Sequence, residues 1–292
     1  MKKEKIIGVL VNIAIYLIAF ALAFIPYYFM LINEIHPLLN MLTFTMTATF
    51  VIYIFCVIFK NTSIYDPYWS VAPLVMVILH MVAYKTFNIN AIIFVVLVFL
   101  YAFRLTRNWY LTYDGLDPIN EDWRYQKYRH SLPRWKFEFV NFFGLIFFPT
   151  FVVYASLIPG LLFMFLVEFN PLAIIGFFFM LLGPALELIA DYQVHSFIKD
   201  NDDHSKVCDR GLWNYSRHPN YLGELTFWFG IMLTFILTNL EIWYFGLGFI
   251  IMLLLFVFIS IPLMEKHNIE KRPAYIEYKK HTSMLLILPR RK

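Results

Sequence analysis

Apolar runs at or near the length a helix needs to cross a bilayer recur eight times in this chain. That repetition narrows the possible folds more than any other feature. The runs are Ile6–Leu31, Leu38–Phe59, Pro67–Tyr84, Thr86–Phe103, Phe139–Val167, Phe169–Leu186, Leu225–Leu240 and Ile242–Met264, the shorter ones borrowing flanking residues. In hydrocarbon, backbone N–H and C=O groups must be satisfied without water, which turns runs of this length into helices. The expected fold is therefore an all-α, polytopic integral membrane protein of about eight transmembrane helices. With 60% hydrophobic and only 15% charged residues, no soluble class competes. A cleaved signal peptide is the other reading of the basic start, but its apolar run is too long and lacks a small-x-small cleavage site.

Basic residues set the expected orientation, since Lys and Arg stay on the cytoplasmic side. With the N-terminus inside and eight crossings, the outer loops are "NEIHP", "YKTF", "EFNP" and "TNLE". Lys85 is the one basic residue they hold out of 24 in the chain. Both termini are then cytoplasmic. Two half-helices in the fifth run, which Pro149 and Pro159 interrupt, would break this count. The net charge of +4 needs no nucleic acid, because anionic inner-leaflet lipids account for it. Cys56 lies in an expected span and Cys208 in an inner loop, so no extracellular disulfide framework is available, and no Cys/His metal spacing occurs.

The organisation reads as residues 1–138, four spans with a basic inner loop, followed by residues 139–292, four more spans with a cytoplasmic tail. The sizeable polar segments all fall on the inner side: "KNTSIYDPYWS", Arg104–Glu138, Lys199–Glu224 and Glu265–Lys292. A water-soluble cofactor would be met there.

The most informative of these segments is "GLWNYSRHPNYLGE", Gly211–Glu224. Arg210, Arg217 and His218 bring charge to the entrance of the seventh span, and Pro219 suits the first position of a helix. A helix N-terminus and an Arg fork both favour phosphate. Asn220 and Glu224 are four apart on one face. A carboxylate inside a span marks a functional site or a buried partner, and an Arg217–Glu224 ion pair is the plainer reading. Glu187 and Asp191 repeat the spacing in "LLGPALELIADYQVHSF". In the tail, Glu265, His267, Tyr275 and Tyr278 gather where the last span ends. A basic amphipathic helix on the lipid surface, anchored by Tyr, would explain Lys279 and Lys280 but not Glu265 and His267.

From about Glu187 to Pro289 the chain resembles the C-terminal domain of the steroid 5-alpha-reductase family, most closely its uncharacterised 5-alpha-reductase-like membrane branch. The resemblance rests on "ADYQVHSF", "KVCDRGLWNYSRHPNYLGE" and "EKHNIEKRPAYIEYKKHTS", and in the first half on "YDPYWSVAP", "RLTRNW" and "EDWRY". It implies that inner loops and C-terminal helices enclose NADPH and that an activated carbon–carbon double bond of a lipid-like substrate is reduced. It also implies that Asp191, Asn220, Tyr221, Glu224 and His267 line the cofactor pocket, with His218 and Tyr278 beside them. Arg210 and Arg217 are phosphate candidates on charge grounds, and Arg104 and Arg124 are weaker ones.

The chain departs from the steroid enzymes in lacking their Gln-Glu-Leu-Pro element and in carrying Glu187 where they have Asn; Glu187 is then a substrate-side candidate. In place of the missing element stand Asp66, Tyr68 and Trp69. They serve either to polarise and contact substrate, with Glu224 as the other catalytic candidate, or to start a helix, with Asp66 capping, Pro67 at the first position and Trp69 at the interface. Arg104 and Arg107 obey positive-inside logic, while Arg104, Asn108 and Trp109 share a helix face.

Membrane methyltransferases using S-adenosylmethionine share the Arg-His-Pro-x-Tyr signature. The Asn-x-x-Gly-Glu that follows here fits the reductases, and "MEKH" has one Glu where methyltransferases tend to carry two. A transporter or lipid-binding scaffold is a third reading, against which stand the lack of an internal repeat and the one-sided polar clusters.

Overall fold

The computed structural model describes residues 2–201, 203 and 205–290. Among them, seven helices are long and apolar enough to cross a membrane, and the only β-type pairing is an isolated parallel bridge between Ser216 and Ser283. The protein is an all-α polytopic membrane protein. It divides into two compact units, Met1–Glu168 and Phe169–Lys292. The boundary expected after residue 138 falls after Glu168 instead, because the helix that follows Pro133 packs on the earlier spans.

In the first unit, α1 (Lys2–Ile32) pairs with α2 (Pro37–Phe59), and α3 (Tyr68–Ala83) pairs with α4 (Ile89–Thr112). A short polar helix, α5 (Trp123–Ser131), precedes α6 (Arg134–Phe163), which lies against α2, α3 and α4. The fifth apolar run is thus one continuous helix. It absorbs its irregularity in a π-helical stretch, Val140–Phe147, just before Pro149. Polar side chains close the ends. The Asn88 side chain caps α4 at the Ala91 N–H, and the amides of Asn88 and Asn90 donate to the carbonyls of Met164, Leu166 and Glu168, where α6 runs out.

The second unit is built on α7 (Ala173–Asp200) and α8 (Pro219–Ile236), followed by α9 (Leu240–Lys271) and the short α10 (Tyr275–His281). The seventh apolar run, Leu225–Leu240, lies largely in α8, which is not among the seven span-length apolar helices. Its first turns carry Pro219, Asn220 and Glu224, so the helix begins polar. It packs along α7 over most of its length, and glycine makes the approach possible. Gly176 faces Gly230 and Gly183 faces Gly223, seven residues apart on each helix. A Cβ on Gly183 would stand 2.6 Å from the Gly223 carbonyl oxygen, and one on Gly176 would stand 2.7 Å from that of Gly230. Small residues at a membrane-helix interface let backbones touch and dispersion hold them.

This geometry sets a test. Gly183→Ala forces backbone apart and is expected to lower the detergent-phase melting temperature by the equivalent of about 1–3 kcal/mol. Gly144→Ala, where a Cβ meets only Val140 Cγ1 at 3.9 Å, is expected to leave it unchanged or raised.

Candidate functional site

The Gly211–Glu224 segment is pinned at both ends. The Leu212 N–H donates to Gln193 Oε1 at 2.8 Å and the Trp213 indole N–H to the Ala190 carbonyl at 2.9 Å, tying the turn to α7. Gly211 permits this by taking φ +57° against the Gln193 side chain, where a Cβ has no room. The tail then runs alongside. The Arg217 N–H donates to the Ser283 carbonyl at 2.9 Å, and the Ser216 hydroxyl donates to that of Leu285 at 2.7 Å. Pro219 occupies the start of α8, directly after His218.

Arg217 sits at the centre of a buried clamp. Its Nε donates to Glu265 Oε1 at 2.7 Å, and its Nη1 donates to the carbonyls of Lys279, at 3.0 Å, and Thr282. Glu265 Oε2 takes Lys279 Nζ at 2.6 Å. The ion pair considered from the sequence, Arg217 with Glu224, is therefore replaced by Arg217 with Glu265. A fork already holding a carboxylate and two carbonyls is a positioning group, and a phosphate would have to displace them. His218 Nε2 lies 3.4 Å from Glu265 Oε1, a contact rather than a well-formed hydrogen bond. Its ring stacks on Tyr221 at 5.3 Å, and Tyr221 meets Phe256 edge-on at 5.2 Å.

Glu224 is 6% exposed, and its Oε1 accepts the Trp228 indole N–H at 2.8 Å one turn later. Glu187, 1% exposed, rises over Gly223, its Cγ against the place a Cβ would take. The second unit therefore brings Glu187 and Glu224 to the same level of the α7–α8 crossing. Asn220 and Asp191 are half-buried nearby in sequence, and His267 is half-buried on α9. The tail helix does not lie on lipid by its tyrosines. Tyr275 and Tyr278 are buried, and Tyr278 donates to the Trp213 carbonyl.

Beside this segment is a cleft of about 580 Å³, within the range of ligand sites. Arg210 and Tyr278, both expected from the sequence, line it together with Phe197, Lys206, Asp209 and Arg290. The Arg210 guanidinium stands 5.5 Å over the Phe197 ring, and Arg290 stands 6.0 Å over that of Tyr278. Arg290 also pairs with Asp209 at 3.3 Å. Lys206 and Arg290 escaped the sequence reading because every basic residue on that side was already explained by membrane orientation. Asp209, paired with Arg290, and Glu277 also line it, so the cleft offers Lys206 and Arg210 to a phosphorylated nucleotide and Arg290 only where Asp209 gives way.

The other candidates belong to the first unit. Asp66 does not cap a helix: its carboxylate accepts the Tyr125 hydroxyl at 2.7 Å, with Arg124 at 3.4 Å. Arg124 is bound in turn to Asp122 at 2.7 Å. Pro67 precedes the helix, which starts at Tyr68. Tyr68 is 1% exposed, its hydroxyl donating to the Thr45 carbonyl at 3.3 Å beside Thr49, so it serves the core. Trp69 is half-buried and Arg104 buried. Sequence reasoning missed the pair that anchors this region. Arg129 grips Glu121 through two bonds of 2.7 and 2.8 Å, and Glu121 accepts the Thr62 N–H at 2.7 Å.

Residues 52–282 match the family described as "Protein of unknown function (DUF1295)". The chain belongs to the DUF1295 family. Both the Asp66 region and the whole Gly211–Glu224 segment lie within the matched DUF1295 residues. The chain is also 28% identical over 253 residues to an uncharacterized protein of Schizosaccharomyces pombe, covering 75% of this chain and 70% of that one. No solved structure matches it.

Two predictions follow the clamp. Glu265→Gln leaves the Arg217 charge buried without its counter-ion, and Arg217→Met strands the Lys279 and Thr282 carbonyls and leaves Glu265 to Lys279 alone; each is expected to cost about 3 kcal/mol, with the double variant costing less than the sum. Thermal melts of the four proteins check this. Burial, only partly offset by Glu265, pushes the His218 pKa below its ordinary value. The unfolded chain therefore takes up the proton more readily, and stability is lost as pH falls below about 6.5. Melts between about pH 7 and pH 5 should show a shallower loss for His218→Gln than for the wild type.

Proposed function

We propose that this protein is a membrane reductase that uses NADPH to saturate an activated carbon–carbon double bond in a lipid-like substrate. The observation that carries the reading is the cationic cleft of the second unit. Its Lys206, Arg210 and Arg290 outnumber the carboxylates of Asp209 and Glu277 that line it with them, which favours an anionic cofactor. S-adenosylmethionine has no phosphate and bears a positive sulfonium, so the same cleft disfavours the methyltransferase alternative. A scaffold that only bound lipid would have no use for these charges beside a buried Arg-His-Pro segment.

When bound, NADPH supplies hydride to the electron-poor carbon. This chain's residues would hold it: Arg210, Lys206 and Arg290 line the cleft, and the family resemblance adds Asp191, Asn220, Tyr221, Glu224 and His267, which are not among the residues lining it. Arg217 and His218 act one step back, fixing the start of α8 through Glu265. Glu224, held by the Trp228 indole, gives the site a buried carboxylate able to accept a hydrogen bond at a fixed position. Read by the positive-inside rule, the long polar segments and the distribution of basic residues support a cytoplasmic cleft, where NADPH is met.

Thermal-shift titrations of the purified full chain with NADPH and with S-adenosylmethionine test the reading. At about 100 times its Kd, NADPH should stabilise the wild type by about 2.7 kcal/mol, and Arg210→Ala should lose most of that at the same concentration. Stabilisation by S-adenosylmethionine alone would overturn the proposal, as would silence with both ligands.

A further inference from the structure

The chain enters α6 through a strongly basic stretch. Between Trp123 and Phe139 five Lys and Arg residues stand against one carboxylate, Glu138. Two of the five are spent inside the protein: Arg124 on Asp122 and Asp66, and Arg129 on Glu121. Arg129 also lies 4.3 Å over the Phe137 ring, which ties α5 to the first turn of α6. Glu138 is engaged as well, accepting the Tyr53 hydroxyl at 3.2 Å. That leaves Lys127, Arg134 and Lys136 exposed, and none of them pairs with a carboxylate among the described residues.

Next to these cations α6 carries an aromatic stripe. Trp135, Phe139 and Phe143 are four residues apart and so share one helix face. They are 70%, 62% and 49% exposed. Lys136 Nζ stands 5.4 Å from the Trp135 ring centre, and the rings of Phe139 and Phe143 are 4.8 Å apart. At about 1.5 Å per residue the stripe runs roughly 12 Å along the helix. It therefore leads from the interface, where Trp is favoured, into the hydrocarbon. Within the π-helical stretch Phe142 meets Tyr53 at 4.8 Å and Phe50 at 6.1 Å, so α2 flanks the stripe.

Unneutralised cations at the head of an exposed apolar face suit a ligand with a net negative head and a hydrocarbon body. A zwitterionic headgroup brings its own cation to the same place and gains less. We infer that the start of α6 is a binding site for an anionic phospholipid. Its phosphate lies at Arg134 and Lys136, with Lys127 adding to the field, and an acyl chain follows Trp135, Phe139 and Phe143. Each Lys or Arg close to a membrane surface adds roughly fivefold to such an attraction. The site belongs to the first unit and does not depend on the reductase reading.

The test is photolabelling of the full chain in lipid nanodiscs. The two probes are phosphatidylglycerol and phosphatidylcholine carrying the same diazirine acyl chain, with label quantified on the peptide containing Trp135–Phe143. The phosphatidylglycerol probe should label that peptide about tenfold more than the other. In the double variant Arg134→Gln with Lys136→Gln, the two probes should come within about twofold of each other. Arg134→Lys with Lys136→Arg should keep the preference, and so should Lys271→Gln, which removes an exposed cation of the second unit. All four positions substituted are on the surface, so an unchanged melting temperature shows that the fold is intact. Excess inorganic phosphate should leave the label in place. Equal labelling of the wild type by both probes would overturn the inference, as would a preference that survives the double variant. Displacement by inorganic phosphate would also overturn it, by making the site one for free phosphate.

Discussion

Where Gly183 meets Gly223 and Gly176 meets Gly230, α7 and α8 touch backbone to backbone, and the second unit is organised around that contact. Between membrane helices there is no hydrophobic gain to drive association, so close packing and inward polar bonds must supply it. The crossing brings Glu187 onto Gly223 and so next to Glu224. It also leaves the first turn of α8 to be held from outside the pair. Arg217 and Glu265 do this, joining the start of α8 to the exit of α9 and to the tail. The seam sets Glu187 over Gly223, and the clamp adds to the bonds from Leu212, Trp213 and Ser216 that hold the Arg-His-Pro turn.

The clamp also assigns the arginines. Arg217, at 8% exposure, has its donors committed inside the protein, while Arg210 is exposed and lies over an aromatic ring at a cleft. Two arginines seven residues apart thus divide the work between building the site and meeting a ligand. The first unit shows the same economy at the start of α3, where Glu121, Arg129, Asp66 and Tyr125 lock a short turn. Tyr68, the residue in that motif most inviting as a catalyst, is spent on packing.

The all-helical membrane fold was legible because apolar run length is a one-dimensional property, and so was the polar entrance of α8. Pro219 opened a helix as its fixed φ and missing N–H dictate. Partner choice was not legible. Arg217 and Glu224 are seven apart in sequence, which suggested a local pair, but Glu265 approaches from a different helix. The domain boundary moved because packing of α6, not the length of the preceding loop, decides which spans belong together. The glycine seam was written in the sequence as two seven-residue spacings, Gly176 to Gly183 inside the sixth run and Gly223 to Gly230 across the start of the seventh, a pattern that gains meaning only once the two helices are known to cross.

If the Arg217–Glu265 clamp builds a cofactor site at the entrance of α8, cofactor affinity depends on Glu265. Isothermal titration of NADPH into wild type and Glu265→Gln, at a temperature where both are folded, tests it most directly. Binding to the wild type should be saturable and binding to the variant at least about tenfold weaker, a loss of roughly 1.4 kcal/mol. Equal affinity in the two proteins would contradict it.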